Sequence, residues 1–172
     1  MSSTFSLISI QQIKSKSSLK KFDCGVKELN MYLYGYAQKN DILGLGKTFI
    51  ALDDNNFILG YFTLSIAQIS YEELPTSYSS NLPKYPIPSL RIARLAVHKD
   101  LQGKGFGKKL LTQAFLKIIQ VAEITGLYLI IVDAKESSQN FYKHYGFIKL
   151  NDEEFTYFLP VETVKKALSY KA

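Results

Sequence analysis

Cysteine occurs once, arginine twice and tryptophan not at all among the 172 residues. The lone thiol, Cys24, excludes an intramolecular disulfide and any cysteine-based zinc site, and no metal is expected. Long apolar runs are missing as well. The longest, residues 127–132, falls far short of the roughly 20 residues that span a bilayer. The first residues, MSSTFSLISIQQIK, lack both a charged leader and an extended apolar core, so no secretory signal is read there. These absences predict a cytoplasmic protein with no membrane segment. Proline is scarce, and Pro75, Pro83, Pro86 and Pro88 are four of only five. They predict a loop over residues 70–88, long enough in a compact domain to suggest a functional or a mobile insertion.

What is present is ordinary for a globular chain: 47% hydrophobic and 21% charged residues. The length predicts a single domain covering residues 1–172, large enough to bury a core without staples. Residues 5–13 alternate loosely and read as an edge strand. Val26, Leu29, Leu33 and Ala37 recur at helical spacing, with Asp23 or Gly25 as the cap. Residues 47–52 and 57–69 flank Asp53-Asp54-Asn55-Asn56 and read as a hairpin. Residues 90–97 form a strand and 103–125 a long helix. The unbroken apolar run 127–132 has the pattern of a buried central strand. A short helix over 137–145, a closing hairpin (147–150 with 155–159) and a last helix after Pro160 complete the chain. The order β-α-β-β-β-α-β-α-β-β predicts an α/β fold with a mixed central sheet flanked by helices.

The net charge is +6, from 21 Lys and Arg against 15 Asp and Glu. Its distribution says more than its sum. Residues 91–109 carry a local +5, from Arg91, Arg94, Lys99, Lys104, Lys108 and Lys109 against Asp100, and residues 1–50 carry a local +4. The first cluster surrounds Gly103, Gly105 and Gly107, between a strand and a helix rich in lysine at its start. Glycines let backbone approach a ligand closely, and the free N–H groups of a helix start attract anions. The run therefore reads as a pyrophosphate cradle; the bland alternative is a tight turn that needs glycine for steric reasons alone. Two other phosphate motifs fail on spacing. A dinucleotide fingerprint would need glycine where Lys108 stands, and the upstream glycine of a P-loop ending at Gly46-Lys47-Thr48 falls on Asp41.

Gln102-Gly103-Lys104-Gly105-Phe106-Gly107 after the strand, and Asn140-Phe141-Tyr142-Lys143-His144-Tyr145-Gly146-Phe147 further on, resemble the two signature motifs of the GNAT family of N-acetyltransferases. The order of elements is also that family's. Within it, the segments FDCGVKELNMYL, RLAV and NFYKHYGF look most like the acetyltransferase toxins of bacterial toxin–antitoxin pairs. The resemblance implies acetyl-CoA as cofactor, the α-amino group of aminoacyl-tRNA as substrate and a ribbon-helix-helix antitoxin as partner, with a homodimer as one possible assembly. Two other readings remain open: a housekeeping acetyltransferase for a small amine or a protein amine, and a catalytically silent acyl-CoA-binding regulator.

By the same resemblance, the main-chain groups of Leu95 and Val97 hold the pantetheine arm, Ala96 between them counts among the cofactor-binding residues, and a backbone N–H there polarises the thioester carbonyl. The amides of Gln102, Gly103, Lys104, Gly105, Phe106, Gly107 and Lys108 take the pyrophosphate, and Lys104, Lys108 or Lys109 reaches the 3′-phosphate. Tyr142 matches the catalytic tyrosine, because a phenol stays protonated at neutral pH and can supply a proton to the departing thiolate. Tyr145 on the same helix is its rival. Asn140 either bonds the pantetheine or caps a helix. Arg91, Arg94, Lys14, Lys16, Lys20 and Lys21 are the candidates for RNA binding. His144 is read as a surface residue and Cys24 as a structural one.

Overall fold

The computed structural model describes residues 4–169; residues 1–3 and 170–172, the two ends of the expected domain, lie outside them. Seven strands form one mixed sheet in the order β1-β2-β3-β4-β5-β7-β6. They are β1 (Ser6–Ser9), β2 (Lys47–Leu52), β3 (Ile58–Ile69), β4 (Ile87–Val97), β5 (Leu129–Asp133), β6 (Ile148–Lys149) and β7 (Thr156–Pro160). The helices are α1 (Lys16–Lys21), α2 (Lys27–Gly35), α3 (Ala37–Leu43), α4 (Thr76–Ser79), α5 (Phe106–Ala122), α6 (Gln139–His144) and α7 (Val161–Ser169). The strand sequence is the expected one. No described helix is long and apolar enough to cross a membrane.

The chain divides into two compact units: residues up to Ser65 with Ala93–Ala114, and Ile66–Ile92 with residues from Phe115 onward. In the first, β1 and β3 pair antiparallel with β2. Asp53 sets the β2–β3 turn by accepting the N–H groups of Asn55 and Phe57, both at 2.8 Å. Leu33, Ile50, Tyr61 and Leu19 are sealed in this unit's core. In the second unit, β5 is buried along its apolar length, parallel to β4 and antiparallel to β7. Its core gathers Leu129, Ile131, Phe158 and Leu150.

Three expectations need correction. The single helix expected after Gly25 is two: α2 ends at Gly35, Tyr36 leaves helical geometry (φ −129°), and α3 resumes at Ala37. Glycine near a helix end costs backbone entropy, and the break falls beside it. The loop over 70–88 is shorter and more ordered than expected, because it contains α4 and a 3₁₀ turn at Tyr71–Glu73, and β4 already starts at Ile87. The long helix starts at Phe106 rather than at residue 103, since Gly103 (φ +72°) and Gly105 (φ +83°) are left-handed and cannot join a right-handed helix.

Gly60 on β3 fixes the approach of β4 and of the first turn of α5. A Cβ there would lie 2.7 Å from the Ala96 carbonyl and 3.0 Å from Leu110 Cδ2. Backbone cannot yield as a flexible side-chain tip would. Gly60→Ala is expected to cost about 1–3 kcal/mol, as overpacking does, and so to lower the melting midpoint by several degrees. A thermal melt of the variant checks it, and an unchanged midpoint would mean that β4 moves away freely.

Candidate active site

At the C-terminal end of β4 the chain must turn from a strand into α5. His98 makes the first bend: its backbone N–H donates to Leu59 O at 2.8 Å, and its ring Nδ1 accepts the Asp100 N–H at 3.2 Å. The ring is buried, edge-on to Phe57 at 4.9 Å and to Phe22 at 6.0 Å. Gln102 ties the far side of the bend, donating its Nε2 to Val97 O (2.9 Å) and Cys24 O (2.8 Å). Its side chain is thereby a brace for the loop. Beyond it, Gly103, Lys104 and Gly105 are exposed, and Phe106 drops into the core against Phe5.

The two left-handed glycines carry the test of an anion cradle. A Cβ built at either one meets no atom within 4 Å, so the space before this backbone is open. The loop hydrogen bonds among the described residues include none donated by Gly103, Lys104 or Gly105. Open backbone, N–H groups without loop acceptors, a helix start and the exposed Lys104 and Lys108 fit a pyrophosphate. The left-handed φ of both residues would by itself call for glycine in a tight turn, so the open space before them is what favours a ligand.

Along β4 the pairing with β5 described within the second unit covers residues 89–92, and the strand itself runs on to Val97. Main-chain groups alternate between the two edges of a strand. The Ala96 carbonyl and the His98 N–H face β3. Leu95 and Val97 therefore present their groups at the opposite edge, where Val97 O accepts Gln102. Ala96, the third strand residue expected to contribute to cofactor binding, turns its carbonyl to β3 instead.

Tyr142 and Asn140 belong to the second unit, on α6. The Tyr142 ring is buried, packed edge-on against Phe147 at 5.4 Å and Phe141 at 5.1 Å. Burial pushes its hydroxyl well above the usual phenol range, so it keeps its proton across neutral and mildly alkaline pH. No described partner holds that hydroxyl, yet no polar side-chain atom among the described residues is both sealed and unpaired. The Tyr142 Oη therefore reaches the surface of its unit as an uncommitted donor. Tyr145 is half-buried and packs edge-on against Phe141 and His144. Asn140 is exposed and sits inside α6, which Ser138 precedes as N-cap, so the capping alternative for Asn140 fails.

The basic residues divide. Arg91, in the second unit, is engaged with Asp133, which also accepts Thr156 Oγ1 at 3.0 Å. Arg94, in the first unit, lays its guanidinium over the Tyr32 ring, 3.4 Å from the centroid. Lys14, Lys16, Lys20 and Lys21 are exposed on and beside α1. Cys24 is buried, and His144 is exposed. Sequence reasoning counted Lys99 only within the basic cluster and did not single out Asn30. Lys99 Nζ lies 2.8 Å from Asp23, which also accepts the Gly25 N–H and Asn30 Nδ2, both at 2.9 Å. Lys99 first, then these two donors, hold the Asp23 carboxyl well below the usual range. The clamp is intact above the ordinary carboxylate range and loosens only in strong acid.

Comparison with known proteins gives the chain its relatives. The chain is 29% identical over 138 residues to the tRNA-acetylating toxin of Mycobacterium tuberculosis, covering 80% of this chain and 82% of that one. It is 24% identical to the probable toxin TacT of Sinorhizobium fredii, covering 86% and 87%. The solved structure of AtaT complexed with acetyl-methionyl-tRNAfMet superposes with a TM-score of 0.85 at 25% identity, covering 96% of this chain and 99% of that one. The family model for the acetyltransferase (GNAT) domain matches residues 44–149, from before β2 to β6 and through the whole glycine loop, and the chain belongs to that family.

Proposed function

We propose that this acetyltransferase transfers the acetyl group of acetyl-CoA to the α-amino group of aminoacyl-tRNA, and so blocks translation as a toxin. The observation that carries the reading is the match over four-fifths of the chain to a protein named for acetylating tRNA, in a chain with a basic α1. An antitoxin of the ribbon-helix-helix class is the partner expected from the resemblance, and a homodimer the assembly to test beside it.

When bound, acetyl-CoA supplies the activated acetyl thioester. In this reading the backbone from Gly103 to Lys108 holds its pyrophosphate. Lys104, Lys108 or Lys109 meets the 3′-phosphate. The main chain of Leu95 and Val97 orients the arm, and a backbone N–H there polarises the carbonyl. Tyr142 Oη gives its proton to the leaving sulfur. The α-amino group, with a pKa of roughly 8, has a sizeable neutral fraction around that pH and needs no dedicated base.

The direct test is to incubate the protein with labelled acetyl-CoA and a pool of charged tRNA, and to look for label on the RNA. Label that stays off the RNA but reaches a small amine or a protein amine favours the housekeeping reading, and no turnover at all favours a silent regulator. Replacing Lys14, Lys16, Lys20 and Lys21 together with Gln should weaken tRNA binding and lower its salt slope by up to about 0.9 for each phosphate no longer neutralised. Acetyl-CoA affinity should stay at the wild-type value. Unmoved tRNA affinity would place the RNA elsewhere on the protein.

A further inference from the structure

Between α1 and α2 lies an open depression of about 690 Å³, within the roughly 300–1,000 Å³ range of small-ligand sites. Lys27, Asn30, Met31 and Tyr34 line it from one face of α2, at the i, i+3, i+4, i+7 spacing that stacks side chains on a helix. Lys20 and Lys21 reach it from the last turn of α1. Its one carboxylate, Asp23, is already engaged by Lys99, Gly25 and Asn30. Among the described residues Lys20, Lys21 and Lys27 have no ion-pair partner. The apolar side is partly open too: Met31 and Tyr34 are 38% and 39% exposed.

The depression is also fastened to the glycine loop's bend. Lys99 N–H donates to Asp23 O at 2.9 Å, and Gln102 Nε2 donates to Cys24 O at 2.8 Å. Its floor is thus fixed to the segment that leads into the cradle.

We infer that this depression is a nucleotide subsite, which takes one unpaired nucleotide of the RNA substrate, with its phosphates on Lys20, Lys21 and Lys27 and its base on Tyr34. The inference rests on the reading of the substrate as an RNA. Three uncompensated ammonium groups beside an aromatic face match what single-stranded nucleic acid offers, which is spaced phosphates and a flat base. Free phosphate would use the lysines and leave the ring idle. A duplex keeps its bases stacked inside, out of reach of Tyr34.

The experiment is an anisotropy titration of a short unstructured RNA oligonucleotide, and of a blunt-ended, fully paired RNA duplex of equal charge. Wild type, Tyr34→Ala, Tyr34→Phe and Lys27→Gln are compared. Tyr34→Ala should weaken the oligonucleotide about tenfold and leave the duplex unchanged, while Tyr34→Phe binds like wild type. Lys27→Gln should weaken both RNAs and reduce the salt slope of the oligonucleotide by about 0.7. Equal melting midpoints confirm that the exposed substitutions leave the fold intact. Wild-type oligonucleotide affinity in Tyr34→Ala, an equal loss on both RNAs, or competition by inorganic polyphosphate as strong as that by RNA would overturn the subsite. Acetyl transfer to charged tRNA is scored separately on the wild type. Absence of transfer with Tyr34-dependent RNA binding intact refutes the substrate reading and spares the subsite; the reverse pattern does the opposite.

Discussion

Tyr142→Phe is expected to slow acetyl transfer about 10²–10⁴-fold under single-turnover conditions with saturating acetyl-CoA. The substitution keeps the ring that packs on Phe147 and Phe141, so the core around α6 stays filled. It removes the otherwise uncommitted hydroxyl, and with it the ring's only transferable proton. Binding of acetyl-CoA should barely change, because the hydroxyl matters as negative charge develops on sulfur and little before. The pH profile gives a second readout. Burial raises the Tyr142 pKa, so the wild-type rate should climb as the amine loses its proton near roughly pH 8, and then stay level to about pH 10. A falling limb near pH 10 would point to an ordinary phenol as the acid. The same measurement on Tyr145→Phe decides between the two tyrosines. Tyr145 is held between two rings on the same helix, and its substitution should leave turnover intact. If Tyr145→Phe loses activity and Tyr142→Phe keeps it, the acid is Tyr145. If both stay active, the proton comes from another donor.

The strands of this sheet are written into runs such as IIV and TYF, whose β-branched and aromatic residues fit a pleated, buried surface. The helix after the glycines announces itself by apolar residues every fourth position, while its true start depends on the left-handed φ of Gly105, which residue type permits but does not dictate. The broken helix after Gly25 is less legible, since one apolar period runs through both α2 and α3 and hides the break at Tyr36. At the candidate site, residue types and spacing point to the loop, but bonds between distant segments decide what each side chain does there. Gln102 reads as part of a phosphate motif, yet its amide is used on Cys24, 78 residues earlier. Lys27, Asn30, Met31 and Tyr34 are hidden in the sequence because helical periodicity marks the apolar face and says nothing of the opposite one. Nothing in the sequence says that Asp23 is engaged and that the nearby lysines are therefore left uncompensated.

Gly105→Asp is expected to weaken acetyl-CoA binding severely while the protein still folds. Two physical effects act together at this position. Gly105 holds φ +83°, a conformation that costs an L-residue roughly 1–2 kcal/mol, although aspartate tolerates it better than most. This strain is small beside the stability of a domain, and a Cβ here meets no neighbour, so the core is not disturbed. The open space in front of the glycine is, however, where the pyrophosphate is proposed to lie. A carboxylate placed there adds bulk at the point of closest approach and sets a negative charge against the phosphates at the start of α5, where the helix favours anions. Gly105→Ala separates the two effects. It carries the φ strain and one methyl group but no charge, so it should bind acetyl-CoA more weakly than wild type and more tightly than Gly105→Asp. Calorimetric titration of the three proteins, with thermal melts as the control for folding, gives the order directly. Wild-type affinity in a folded Gly105→Asp variant would remove the pyrophosphate from this loop and return its glycines to the role of a turn. Equal losses in Gly105→Ala and Gly105→Asp would instead assign the effect to backbone geometry, with no part for charge.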